Sequence, residues 1–227
     1  MEQIATHKLK DVVELLRGRI QSLAQNECIP AEQRMLIALA GVPGSGKSTV
    51  SAALLQLLQM DGRNDISILT MDGFHHTTEE LSRCECPDVA FRRRGAPFTF
   101  DGRAFVNFVK KLKTASVTEE NDHTLELRAP SFDHGIQDPI PDDVVIPSTA
   151  KIIIVEGNYV LLNQSPWNEL SRSTTIETAR QRLIARHIKA GIETSEEEAA
   201  IRVDENDMVN AELILCESMK PQVIVVN

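Results

Sequence analysis

An α/β fold built on a parallel sheet with helices on both faces is predicted by three observations. A short unbroken apolar run at Met35–Ala40, a second β-like run at Ile66–Thr70 and a third apolar run at residues 152–155 have the length of strands, the first with the composition of one buried on both sides. Segments with apolar residues at helical spacing lie between and around them. A glycine-rich stretch follows the first run directly, so that the order there is strand, loop, helix. With 227 residues, 42% of them apolar, the chain can bury a core without disulfides or structural metals. No repeat, low-complexity tract or Gly/Ser-rich linker divides it, and residues 1–227 are expected to form a single domain.

The elements follow in order. Leu9, Val12, Val13, Leu16, Ile20 and Leu23 recur on one helical face, placing an amphipathic helix in the first 30 residues, which Pro30 closes. After the glycine-rich stretch, Val50, Ala53, Leu54, Leu57 and Leu58 restore the helical period, and Asp61-Gly62 supplies the stop. A helix over residues 103–113 buries Phe105, Phe108, Val109 and Leu112, with Asp101 as its cap. A polar excursion carrying Pro130, Pro139, Pro141 and Pro147 reads as loop. Helices are expected over residues 179–190 and again from Thr194 or Ser195, where Glu197 or Glu198 could close a capping box, before a last apolar run at Val223–Val226.

Composition removes several functions. A formal charge of -9 argues against general nucleic-acid binding, which needs a basic face to displace counterions. No apolar run approaches the ~18 residues needed to span a bilayer. Residues 1–10 lack the apolar core of a secretion signal and the Arg-rich, acid-poor character of a transit peptide, so a cytoplasmic location is expected. Cys28, Cys84, Cys86 and Cys216 are too scattered for a zinc site and read as reduced thiols. The basic cluster Arg92-Arg93-Arg94 is either a solvated surface or an anion contact inside a cleft.

The strongest chemical signal is Gly41-Val42-Pro43-Gly44-Ser45-Gly46-Lys47-Ser48, a phosphate-binding loop lying, as the pattern requires, between a buried strand and an amphipathic helix. Its glycines let successive N–H groups turn toward phosphate oxygens, and the following helix aims its positive end at the same charge. Lys47 is expected on the β- and γ-phosphates of ATP, Ser48 on Mg²⁺, and Thr49 as a further hydroxyl donor. Two carboxylates, Asp72 and Glu156, follow strand-like runs and therefore fall at the carboxyl edge of the sheet, where such folds place their sites. One suits a general base for an attacking hydroxyl, Asp72; the other, Glu156, suits the metal.

These residues, together with Met71-Asp72-Gly73-Phe74-His75, Arg93-Arg94-Gly95-Ala96-Pro97, Thr99-Phe100-Asp101, Val155-Glu156-Gly157-Asn158-Tyr159 and Glu205-Asn206-Asp207, resemble the phosphoribulokinase/uridine kinase family over nearly the whole chain. The resemblance implies a P-loop three-layer sandwich with a helical lid, Asp72 as the base and Glu156 near Mg²⁺. It also implies lid arginines over the phosphates at Arg182 and Arg186, four apart on one helix face within residues 179–200. His187 follows them. His75, Arg93, Phe132 and His134 are acceptor-site candidates, being in the loops after the second strand and before the third. Asn206, Asp207 and Asn210 either help hold the nucleotide or serve as caps and polar packing. The expected activity is transfer of the ATP γ-phosphate to a hydroxyl of a nucleoside, pantothenate or sugar-like metabolite. The alternatives are an NTPase without a small acceptor and a catalytically impaired nucleotide-binding protein. A homo-oligomer is left open.

One departure stands out. Before the lid the family has another short apolar strand, but residues 169–181 of this chain hold no strand-length apolar run. The sheet would be left with a gap of about 4.8 Å, one strand spacing. Either Val223–Val226 moves in beside Met35–Ala40 or the segment is missing, and a weakened fold is the expected consequence.

Overall fold

The computed structural model describes residues 2–5, 9–26, 30, 32–170, 175–176, 206–219 and 223–226. Its centre is a four-stranded sheet of order β3-β6-β2-β7, where β2 is Met35–Ala40, β3 Ile66–Thr70, β6 Ile152–Gly157 and β7 Thr175–Ile176. Every neighbouring pair is parallel. β6, flanked by β3 and β2, is buried along its whole length, which explains why it reads as a continuous apolar run instead of an alternating one.

Strand periodicity divides the core into two layers. Ile152 and Ile154 pack with Leu39, Val50, Leu54, Leu58, Val12, Val13 and Ile20, so one face is covered by α1 (Leu9–Asn26) and α2 (Lys47–Met60). Ile153 and Val155 pack with Ala38, Leu69, Phe105, Val106, Val109 and Leu112, so the other carries α5 (Gly102–Thr114). Asp101 caps α5 as its position before the helix predicts, accepting from the Ala104 N–H at 2.8 Å. Register does the rest of the placing. Ala40 pairs with Gly157 and Thr70 with Glu156, so the residues after β2 and β3 and the last residues of β6 share one edge.

Three expectations are corrected. Residues 127–146 are not loop: β4 (Leu127–Asp133) and β5 (Asp138–Ile146) form an antiparallel hairpin. Its prolines hid it, yet Pro130 sits at a register irregularity between Ala129 and Ser131, and a two-stranded ribbon has free edges where a missing N–H is tolerated. Residues 2–5, to which no strand is assigned above, form β1 (Glu2–Ala5), which pairs in parallel with β8 (Val223–Val226). Consequently Val223–Val226 does not move in beside β2. That place is taken by the two residues of β7, paired with Leu39 and Ala40, while β8 runs alongside β7 without joining its sheet. A segment without an apolar run supplies two residues of strand against the six of β2. The helices expected over residues 179–190 and from Thr194 or Ser195 lie outside the described residues.

The hairpin is fixed above β3 by backbone approach. Residues Met71–Phe74 form a 3₁₀ turn, and a Cβ on Gly73 would lie 1.9 Å from the Pro130 carbonyl oxygen, so only glycine admits this contact. Asp138 accepts from the Thr78 N–H and Oγ1 at 2.6 and 2.7 Å, tying the hairpin to α3 (Thr78–Ser82), whose start is a Thr77/Glu80 capping box. Next come α4 (Pro87–Arg92) and, near the carboxyl terminus, α6 (Met208–Glu217). At the opposite edge Arg34, 4% exposed, donates to the carbonyls of Leu112, Ala115, Pro147, Ser148 and Ala150. Among the described residues no helix is long and apolar enough to cross a membrane.

Candidate active site

The glycine-rich loop curls because two of its residues take a conformation that L side chains avoid: Gly44 at φ 70° and Gly46, which precedes α2, at φ 85°. No acidic residue occupies the first turn of α2, so its positive end is left unneutralised. Lys47 is buried and its Nζ donates to Val42 O at 3.1 Å and Asn158 Oδ1 at 2.7 Å. Ser45 Oγ is buried with no hydrogen-bond partner among the described residues, a donor left waiting inside the loop.

Glu156 stands beside this loop, 5% exposed. Its Oε1 accepts from Ser48 Oγ at 2.6 Å and its Oε2 from Ser51 Oγ at 2.9 Å. Burial pushes the carboxyl above its ordinary range, against the pull of the Ser48 hydrogen bond, the Lys47 charge and the Ser51 hydrogen bond, and with a further upward push from the Asp72 charge. Asp72, on the 3₁₀ turn after β3, is half-buried on the same cavity wall. Two carboxylates, a lysine and a serine hydroxyl thus meet at the carboxyl edge of the sheet.

Next to Asp72 lies an aromatic recess. The His75 ring is 3.8 Å from Phe100 and 4.5 Å from Phe132 between centroids, and Phe132 meets His134 at 5.2 Å. His75 Nδ1 lies 2.8 Å from the Asp72 carbonyl oxygen; a carbonyl only accepts, so Nδ1 carries the proton and Nε2 is the acceptor. Burial lowers the His75 pKa, opposed by the Asp72 charge and hydrogen bond and aided by Arg94 and His134, so the ring is neutral at pH 7. Behind the recess Tyr159 is fully buried and donates to Gly95 O at 2.6 Å, its phenol pushed well up by burial.

One cavity is lined by Pro43, Lys47, Ser48, Asp72, His75, Phe132, His134 and Glu156, so these eight of the residues singled out in the sequence converge. Arg93 does not line it: Nε donates to Asn206 Oδ1 at 3.1 Å and Nη2 to Asn210 Oδ1 at 3.5 Å, and Asn206 returns a bond to Arg94 O at 2.8 Å. The neighbouring Arg94 lines the cavity instead, with Gly95, Phe100, Gln137, Asn158, Asn206 and Asp207. For Asn206, therefore, packing and cavity lining are both observed, whereas Asn210 packs. Phe100 and Asn158 were visible in the motifs; the choice of Arg94 over Arg93 was not, because it depends on how α4 ends. Gly41, Val42, Gly44, Ser45, Gly46 and Thr49 form the loop and first turn around the cavity. Arg182, Arg186 and His187 lie outside the described residues.

A hard divalent cation suits this donor set. Among the described residues no group of three or more His, Cys, Asp or Glu converges, but Mg²⁺ is commonly held by one or two carboxylates together with substrate phosphates. Ser48 Oγ and Glu156 Oε1 are the oxygens placed for that.

Comparison with known proteins agrees with the fold and the loop. A Schizosaccharomyces pombe protein provisionally named a uridine kinase is 40% identical over 207 residues, covering 87% of this chain and 85% of that one. The "ATP-dependent kinase-like protein notR'" of Aspergillus versicolor is 37% identical over 153 residues, 64% of this chain and 87% of its own. Among solved structures, a Silicibacter sp. TM1040 protein described provisionally as a fructose transport system kinase superposes with a TM-score of 0.77 at 28% identity, over 94% of this chain and 98% of that one. Residues 36–181, which contain β2 from its second residue, the loop, both carboxylates and β6, match the family model itself, and the chain belongs to the phosphoribulokinase/uridine kinase family of P-loop kinases.

Proposed function

We propose that this chain is an ATP-dependent kinase, of uridine kinase-like type, that moves the γ-phosphate of ATP to a hydroxyl of a small metabolite. The observation that carries the reading is the meeting, in one cavity, of the phosphate-loop residues Lys47 and Ser48, the carboxylates Asp72 and Glu156, and the recess of His75, Phe100 and Phe132. A nucleotide switch or motor needs the first two features. An aromatic recess beside the base is what a small acceptor needs.

Asp72 takes the proton of the acceptor hydroxyl as its oxygen bonds to the γ-phosphorus, and the bond from that phosphorus to the β,γ-bridging oxygen breaks to release ADP. Lys47, released from Val42 O and Asn158, neutralises the β- and γ-phosphates, and the loop N–H groups hold them in line. Ser48 and Glu156 would hold Mg²⁺, which when bound supplies positive charge against the triphosphate. His75, neutral and donating to the Asp72 carbonyl, keeps the segment bearing the base in position.

Acceptor-dependent ADP release tests this. Lys47→Ala should abolish turnover. Asp72→Asn should keep ATP affinity while lowering the rate by at least ~100-fold, the scale of a lost general base. An unchanged rate in Asp72→Asn would remove the base assignment, and ADP release indifferent to every acceptor would leave an NTPase or an impaired nucleotide-binding protein.

A further inference from the structure

Among the described residues, Arg34 and Arg94 both have side chains withdrawn from solvent, and they are treated differently. The Arg34 guanidinium spends all three nitrogens on five carbonyls. The Arg94 side chain is 8% exposed, yet its Nε and Nη1 are buried without any hydrogen-bond partner among the described residues. Its Nη2 alone is used, donating to His76 O at 2.9 Å. Leaving buried charged donors unpaired is expensive, and groups left so in a folded chain commonly await a ligand.

Asp138 balances part of the guanidinium's charge through Nη2, but no described neighbour accepts from Nε or Nη1. Asp138 Oδ1 is 3.6 Å from Nη2, beyond hydrogen-bonding distance, and its carboxylate is already engaged by the Thr78 N–H and Oγ1. The Phe132 ring, 5.6 Å from Cζ, offers a face to the cation but no acceptor for its N–H groups. Burial lowers the Arg94 pKa and Asp138 raises it, but an arginine stays charged. Arg94 lines the same cavity as Asp72. The other cation among the described lining residues is Lys47, which belongs to the phosphate loop.

Resting on the kinase reading, we propose that the acceptor is an anion: its hydroxyl lies at Asp72 and a carboxylate or phosphate of the same molecule lies against Arg94, with Phe132 and His75 packing the carbon skeleton between. The site then selects a hydroxy acid or a phosphorylated polyol over a neutral nucleoside. A neutral acceptor without an acceptor group at that place would leave Nε and Nη1 unpaired, and a site of that kind rejects molecules lacking the matching group.

Matched acceptors tell these apart in an ADP-release assay with Mg-ATP: glycerate against glycerol, pantothenate against pantothenyl alcohol, ribulose 5-phosphate against ribulose, with uridine alongside. Carboxylate and phosphate are separated by which pair responds. The anionic member of at least one pair should show kcat/KM at least ~100-fold above its neutral counterpart and above uridine. Arg94→Gln should lower that value by ~100-fold, mostly through KM, and Arg94→Lys by about tenfold. ATP affinity by calorimetry, unchanged within about twofold in both variants, shows that the fold is kept. A neutral acceptor used as well as its anionic partner, or an Arg94→Gln variant with unaltered KM for the anion, overturns the inference and leaves the kinase reading intact. ATP binding with no acceptor of either class accelerating ADP release sinks the kinase reading, and this inference with it.

Discussion

Glu156 carries a stability cost that its function explains. Its folded pKa is raised by burial above the ordinary 4.5, so the folded chain holds this proton more tightly than the unfolded one. Stability therefore falls as pH rises from the unfolded value through the folded one. Glu156→Gln removes the charge in a similar shape. The variant should melt with the wild type near pH 4 and above it at about pH 8, each kcal/mol appearing as about 2–4 °C, while losing the extra stabilisation by Mg²⁺ that is expected of the wild type with ATP. A melting difference that does not grow with pH would mean that burial of the carboxylate is offset by the Ser48 and Ser51 hydroxyls. At this scale the sequence was most legible where a residue's place follows from a strand end: Lys47, Asp72 and Glu156 come after or at the end of β2, β3 and β6 and line one cavity. It was least legible at Arg93 and Arg94, where the turn closing α4 sends one side chain to Asn206 and the next to the cavity.

Between elements, the decisive contact is that of the hairpin with the 3₁₀ turn bearing Asp72. Apolar runs located β2, β3 and β6, and helical periodicity located α5, because each buries its apolar residues in the core. The hairpin escaped notice because it alternates poorly, carries prolines and owes its place to backbone contact, which leaves no apolar signature. The one trace is Gly73 itself, whose absent side chain admits Pro130 O. Gly73→Ala should therefore force the hairpin away from the turn. A loss of about 1–3 kcal/mol in urea unfolding is expected, the usual cost of overpacking. Because Phe132 and His134 ride on that hairpin, the acceptor KM should rise while ATP affinity stays near wild type. A variant with normal stability and normal KM would show that the turn and the hairpin can separate freely.

Across the whole molecule, the described pairing on the two sides of β2 is unequal. Six residues of β2 pair with β6, from Met35 to Ala40, while among the described residues Leu39 and Ala40 pair with β7. The sequence has no strand-length apolar run between residues 169 and 181, and it could not announce that β8 would pair with β1, since both are short and neither names its partner. The two β2 residues that do keep a second neighbour are those leading into the phosphate loop, so nucleotide bound in the loop braces the sheet at its weakest edge. At a ligand concentration of about 100 times Kd, binding adds about 2.7 kcal/mol, or roughly 5–11 °C for a chain of this size. The expected result is an apo protein melting at or below about 45 °C, the low end for mesophilic domains, and a rise of that magnitude with Mg-ATP. Lys47→Ala should lose the rise while keeping the apo value. An apo protein that melts above about 65 °C would mean that two residues of strand suffice at this edge, and that the shortened segment costs the fold nothing.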